Sequence, residues 1–291
     1  MSHLVFGCGY LGFRVARRWR EQGRTVYAVT RSAARAAELA RAGLQPVVAD
    51  VTRPETLADL PAAQTVLYAV AHDPHGPHSR REVYVQGLAH VLAALPTVVK
   101  RLIFISSTGV YSQAGGDWVN EDSPVSPQRE AGREFLAAEE LLAQHPLGRA
   151  AIVLRSAGLY GPGRVPRQAD IRAGRPLPAP RQGYLNLIHV EDLVEIVLAA
   201  EARAVPPCMY LVSDGQPVDR RTYYEYVAQL LGAPPLQWIA PPPDSPAAIR
   251  AGSSKRVDSR RLRQQWAVRL RYPSYREGLA AIVGRADKAE S

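Results

Sequence analysis

His3-Leu4-Val5-Phe6-Gly7-Cys8-Gly9-Tyr10-Leu11-Gly12 opens the chain with a short apolar strand, a Gly-x-Gly-x-x-Gly, and the start of a helix reaching about Gln22. Each glycine has its own reason in that arrangement: a tight turn, room for a ligand against the backbone, and close packing of helix on strand. The helix N-terminus adds free N–H groups and the positive end of the helix dipole, which suits pyrophosphate. The stretch therefore predicts a dinucleotide-binding turn contributed by Gly7, Gly9, Tyr10, Leu11 and Gly12. The competing reading is a glycine turn that merely packs the helix. Cys8 reads as a small apolar filler.

Downstream, apolar runs alternate with helical stretches. Thr25–Val29, Pro46–Val51, Thr65–Ala71, Arg101–Ser106 and Ala151–Arg155 have strand character. Ala33–Ala42, Val83–Leu95 and Glu130–Gln144 have helical character. Such alternation predicts an α/β fold: a doubly wound parallel sheet covered on both faces, with ligands at the carboxyl ends of its strands. After Tyr160 proline and glycine crowd Gly161–Arg181, before a helix at Val190–Ala200, a strand at Met209–Ser213 and a helix at Arg220–Leu231. Pro234–Pro246 reads as a loop or connector. The expected organisation is a dinucleotide-binding domain over 1–157, to which 188–213 returns, a smaller C-terminal substrate lobe over 158–187 and 214–285, and a tail over 286–291.

The adenosine end of such a site is specified at the close of the second strand, Val29-Thr30-Arg31-Ser32. An acid there would accept from the ribose hydroxyls; here there is none, and Arg31, Ser32 and Arg35 offer partners for a 2′-phosphate. NADP is therefore expected ahead of NAD. Asp50, read as ending the third strand, and Ala69, in the fourth, complete the expected cofactor contacts.

Composition narrows the setting. The 291 residues are 46% hydrophobic and 22% charged, an ordinary globular balance. No run approaches 18 apolar residues, no basic or long apolar leader is visible, and two cysteines cannot make a disulfide framework. A cytoplasmic protein without a membrane partner is expected. The net charge is +9, yet only Lys100, Lys255 and Lys288 are lysines, and the arginines fall in short scattered clusters. A nucleic-acid surface needs a patch or a recognisable module, so none is expected.

Four motifs taken together carry a resemblance. Gly7–Gly12, Ile105-Ser106-Ser107-Thr108-Gly109-Val110-Tyr111, Leu154-Arg155-Ser156-Ala157-Gly158-Leu159-Tyr160-Gly161-Pro162-Gly163 and Ile188-His189-Val190-Glu191-Asp192 occur in the order and spacing of the extended short-chain dehydrogenase/reductase superfamily, epimerase/dehydratase type. With Tyr272-Pro273-Ser274-Tyr275-Arg276-Glu277-Gly278-Leu279 the chain resembles the atypical, YeeZ-like branch. The resemblance implies a Rossmann sheet, nicotinamide-cofactor binding, a small-molecule substrate or effector with a nucleotide sugar as the default class, and pairing into a homodimer.

It also implies a catalytic set that this chain lacks in large part. In the superfamily a tyrosine is the general acid/base, a lysine four residues later lowers its pKa, and a Ser or Thr orients the substrate oxygen. Ser107 matches the last. Aligned on Ala138-Glu139-Glu140-Leu141-Leu142, Ala131 stands for the tyrosine and Phe135 for the lysine; an expected asparagine is replaced by Tyr84. No alternative register helps, because Pro96, Ala251 and Gly284 precede the three lysines by four. Ser107 and Tyr111 remain as catalytic candidates. His189 begins a helix and reads mainly as structural, and Glu121 and Asp122 read as a solvated loop. His72-Asp73-Pro74-His75-Gly76-Pro77-His78 has metal-ligand residue types, but its prolines favour a polar loop, and no metal is expected. Two functions stand: an NAD(P)-binding oxidoreductase working through substituted groups, and a catalytically lapsed dinucleotide-binding sensor or scaffold.

Overall fold

The computed structural model describes residues 1–243, 245–252 and 254–289. Seven strands form one parallel sheet: β1 (Ser2–Phe6), β2 (Thr25–Thr30), β3 (Gln45–Val48), β4 (Thr65–Tyr68), β5 (Arg101–Ser107), β6 (Ala151–Ser156) and β7 (Cys208–Val212). Their spatial order, 3-2-1-4-5-6-7, reverses direction beside β1, as in a doubly wound Rossmann sheet. Register follows the apolar runs, with Leu4 opposite Tyr27 on one side and Val66 on the other. Strands buried on both faces read as continuous apolar runs, and β4 is buried along its whole length.

The chain divides into two compact units. The first comprises 1–110, 127–155 and 194–210; the second comprises 111–126, 156–193 and everything described from 211 onward. In the first, helices α1 (Gly12–Glu21), α2 (Ala33–Arg41), α3 (Gly87–Ala94) and α4 (Glu130–Gln144) accompany the sheet. Its core includes Leu4, Phe6, Tyr68, Leu88, Leu102 and Phe104, with Tyr68 set between the rings of Phe6 and Phe104. The second has an aromatic core around Tyr160, Tyr223, Tyr224 and Tyr275.

Three local expectations need correcting. The third strand stops at Val48, so Asp50 lies beyond it. Asp50 instead closes a turn, its Oδ1 accepting from the Thr52 N–H at 2.9 Å and hydroxyl at 2.8 Å. The helix expected from Val83 begins as a π-turn, Glu82–Gln86, before α3. The proline-rich segment, read as a loop or connector, also contributes a short strand, since Trp238–Ile239 pairs in parallel with Leu177–Pro178.

Helix α5 (Val190–Arg203) carries Glu201, whose carboxylate ties the edge of the first unit together. It meets His3 Nε2 at 2.5 Å and accepts from Trp19 Nε1 at 2.6 Å and Thr65 Oγ1 at 3.2 Å. His3 and Trp19 are fully buried, and their rings lie 4.4 Å apart. Burial pushes the Glu201 carboxyl up, but the hydrogen bonds and the His3 ring outweigh it and hold its pKa below the usual value. A lowered carboxyl stabilises the fold above its unfolded pKa and loses that contribution as pH falls through the folded value. Glu201→Ala is expected to cost about 3 kcal/mol in urea unfolding at pH 7, because it strands the three buried groups of His3, Trp19 and Thr65 that bond to its carboxylate. The deficit should shrink on acidification, and a deficit constant from pH 7 to pH 3 would contradict the assignment.

Candidate functional site

The Gly7–Gly12 turn leaves β1 at Phe6 and enters α1, and its three glycines differ in what demands them. Gly7 has φ +80°, and a Cβ there would lie 2.3 Å from the Ala69 carbonyl oxygen at the end of β4. A Cβ on Gly12 would lie 2.3 Å from the Gly7 carbonyl oxygen. Neither position can take a side chain without moving backbone. Gly9 is the opposite case: it is exposed, its φ is ordinary, and a Cβ would meet nothing within 4 Å. The protein's own packing therefore does not require glycine at position 9, and the open space above it is what a backbone-hugging ligand needs.

The same turn ends at Leu11, which caps α1 without a side-chain hydrogen bond. The amides of the first helical turn thus meet no capping oxygen at that position. Tyr10 flanks the turn, half-buried beneath the Arg14 guanidinium at 4.3 Å. Cys8 is buried, and burial pushes its thiol up to about 12, so it is no thiolate at neutral pH.

At the end of β2, Arg31 and Ser32 are exposed. Ser32 caps α2, its hydroxyl accepting from the Arg35 N–H at 3.3 Å. Arg35 is committed elsewhere than expected: its guanidinium pairs with Glu38 and lies 5.1 Å from the Phe13 ring. Arg31 has no hydrogen bond or ion pair among the described residues and is exposed at the end of β2. Ala69 is half-buried, its N–H bonded to the Phe6 carbonyl at 2.9 Å.

Ser107 ends β5 half-buried, and its Oγ accepts from the Gly109 N–H at 3.0 Å. A hydroxyl used as an acceptor keeps its own proton for donation. Helix α4 packs against this turn so closely that a Cβ on Gly132 would lie 2.3 Å from the Gly109 carbonyl oxygen. Ala131 is the residue before that contact. Phe135 faces Tyr84, the rings stacked at 4.4 Å and 27°. The Tyr84 hydroxyl accepts from the His72 N–H at 3.2 Å. Where the family pattern has an asparagine and a lysine, this chain has an aromatic pair.

Below it lies a buried ion pair that the sequence reading passed over. Arg155 grips Glu139 with Nη2 at 2.6 Å and Nε at 3.1 Å, and the Ser106 hydroxyl donates to the same carboxylate. Both charged side chains are about one-tenth exposed or less. Such a bidentate pair fixes α4 to β5 and β6. The signal for it was the acid in the Ala138-Glu139 motif and the arginine in Leu154-Arg155, whose facing strand and helix faces only the fold reveals.

In the second unit, Tyr111 is buried, and its carbonyl accepts from the buried Lys255 Nζ at 2.9 Å. His189 is buried too, 4.0 Å from the Tyr272 ring and 5.2 Å from that of Tyr160, its Nδ1 accepting from the Glu191 N–H. Glu121 corrects an expectation: it is buried, accepts from the Leu211 N–H at 3.0 Å and pairs with Arg261. Only Asp122 is solvated as read. Tyr160 and Arg164 flank a tight turn rather than a helix face, closed by a Gly161–Arg164 bridge. In the first unit, the histidine loop is knitted internally, His72 Nε2 meeting the His78 carbonyl at 2.9 Å and His75 N–H donating to Asp73. Among the described residues no three His, Cys, Asp or Glu converge on a metal position, and no helix is long and apolar enough to cross a membrane.

The epimerase pattern extends over residues 3–212, matched by the profile described as the NAD dependent epimerase/dehydratase family. The chain belongs to that family. Among its relatives, Protein YeeZ of Escherichia coli (strain K12) is 32% identical over 194 residues, 66% of either chain, so the match spans just under two-thirds of that relative's length. A 3-diazoavenalumate denitrifying reductase from Streptomyces sp is 29% identical across 96% of this chain and 99% of its own. The solved structure of an NAD-dependent epimerase/dehydratase-type protein from Methylobacillus flagellatus is 32% identical, with a TM-score of 0.80 over 98% of both chains. The family is described as NAD dependent, and one relative of this chain is named a reductase.

Two outcomes follow from this geometry. Gly7→Ala should destabilise the fold by about 2 kcal/mol or more, through both its φ and the Ala69 clash. Gly9→Ala should leave the melting temperature within about 2 °C, while Gly9→Trp abolishes dinucleotide binding in calorimetry; retained affinity would refute the site. Asp214 supplies the second. Burial pushes its carboxyl up to about 7, and its Oδ2 is buried without a hydrogen-bond partner. A raised acid favours the fold when protonated, so stability should decline from about pH 4 to pH 7. Asp214→Asn keeps an acceptor for the Gln216 N–H, and should gain on wild type over that range in denaturant titrations; parallel profiles would contradict this.

Proposed function

We propose that this protein is a nicotinamide-dinucleotide-dependent reductase of a small molecule, with NADP(H) as its natural form. The observation that carries the reading is Gly9, a glycine that the chain itself does not need and that the motif places beneath a pyrophosphate. In this reading the bound dinucleotide supplies hydride. The N–H groups of the turn and of the α1 N-terminus hold its pyrophosphate. Arg31 pairs with the 2′-phosphate, Ser32 borders it, and Asp50 keeps Oδ2 for the adenine. The Ala69 backbone lines the floor beside Gly7, and the Ser107 hydroxyl orients the substrate oxygen.

Reduction is favoured over epimerisation on chemical grounds. Reduction asks the protein only to donate one proton to the new alkoxide, whereas epimerisation through a keto intermediate asks it first to take that hydroxyl proton and then to return it; Ala131 and Phe135 can do neither, so the simpler demand is preferred. One relative aligned along nearly the whole chain is named a reductase, which supports the same choice. The Tyr84–Phe135 stack also suits the second reading, a dinucleotide-binding sensor.

Calorimetric titration of nucleotide-stripped protein with NADP⁺ and with NAD⁺ separates these readings. NADP⁺ is expected to bind about tenfold more tightly, a charge-assisted contact being worth roughly 1.5–3 kcal/mol. Arg31→Ala should erase that preference and leave NAD⁺ affinity unchanged. Binding of neither dinucleotide would end the reductase reading, and binding without NADPH oxidation across a carbonyl panel would leave the sensor.

A further inference from the structure

We infer that the Tyr84 phenol is the proton donor of the site, supplied by the π-turn before α3 in place of a tyrosine on α4. This rests on the reductase reading and adds the identity of the acid. Tyr84 lies at the centre of Glu82–Gln86, the one π-helical segment among the described residues. A π-turn is rare, and where it interrupts a helix it is frequently at a functional site. The turn is closed by Gly87, where a Cβ would lie 2.8 Å from Val51 Cγ2.

What the turn achieves is the placement of one ring. Tyr84 lies flat on Phe135, and Phe135 is three residues beyond Gly132, so the two share a face of α4 about 4.5 Å apart along its axis. Gly132 in turn presses on Gly109, whose N–H is bonded to Ser107 Oγ. The N-terminal half of α4 therefore meets both the turn that follows Ser107 and the ring of Tyr84. Tyr84 is half-buried, unlike the buried Tyr68, Tyr111 and Tyr160, so part of its side chain reaches the surface.

Its hydrogen bonding is polarised in the right sense. The His72 N–H donates to the phenol oxygen, which leaves the Tyr84 O–H proton free to point at a substrate oxygen. Once that proton has gone, the amide remains to hold the phenolate charge. For a carbonyl substrate reduced by NADPH, hydride forms the new C–H bond and the C=O π pair moves to oxygen. That oxygen would take the Tyr84 proton, and a proton taken up from solvent would restore the phenol, so the reaction consumes one proton per NADPH. The products are the alcohol and NADP⁺.

The test uses 9,10-phenanthrenequinone as the carbonyl probe, NADPH as reductant, and Tyr84→Phe, which keeps the ring on Phe135. Calorimetry should give an NADP⁺ affinity within twofold of wild type. Turnover should fall about 100-fold in kcat with little change in KM, and the wild-type slowing in D₂O should disappear from the residual rate. Independently of turnover, protein carrying ¹³C at tyrosine Cζ should show one resonance, missing from Tyr84→Phe, that moves when NADP⁺ and the quinone are added together. Tyr84→Trp replaces Tyr84→Phe if the latter fails to unfold cooperatively. A variant as fast as wild type, or a Tyr84 resonance that stays in place, overturns the inference and leaves the reductase reading standing. A wild type that binds NADP⁺ yet leaves the quinone unreduced overturns both.

Discussion

Backbone pressing on backbone at the end of β1 is the constraint from which the first unit is organised. Gly7 is wedged against the carbonyl of Ala69, and Gly12 against the carbonyl of Gly7, with no room for a methyl group at either. That double approach sets where α1 leaves the sheet, and hence where its N-terminal amides point. It also locks the ends of β1 and β4 side by side, at the place where the strand order reverses. The open ground at Gly9 exists because the two glycines around it are so tightly held. A rigid frame around exposed backbone is how a scaffold pre-organises a binding site.

A second close approach repeats the device on α4. Gly132 on Gly109 brings the helix down onto the end of β5, and the buried Arg155–Glu139 pair with Ser106 clamps it there. A buried ion pair of this kind is dear in desolvation and returns the cost mainly as a fixed geometry. Here the geometry concerns the stretch from Ala131 to Phe135, the part of α4 that borders Ser107 and Tyr84. The helix is thus held with undiminished care, although the side chains for which the family uses it have changed.

The strand order, most of the helices and the turn could be read from residues because their signals are local: apolar runs of strand length, and glycine at three fixed spacings. What the sequence hid is relational. Nothing near Glu139 announces that Arg155 will face it, and Glu121 looked like a loop acid because its partner, the Leu211 amide, is ninety residues away. Asp50 was assigned to a strand it does not reach, since an Asx turn over Thr52 imitates a strand end in composition. Arg35 looked free until α2 placed Glu38 one turn along. Tyr84 was visible as a replaced asparagine, but the π-turn that aims it has no recognised sequence mark.

The stacked pair on α4 has a historical side. Restoring lysine at 135 by itself would strip Tyr84 of the ring it lies on, and restoring asparagine at 84 by itself would bare Phe135 and release the His72 amide. Either single reversion passes through a chain less well packed than the one that exists, and neither regains the missing tyrosine at 131. Three changes would have to arrive nearly together. The stack thus makes positions 84 and 135 interdependent, so that neither can take the family's usual side chain alone without loss of packing.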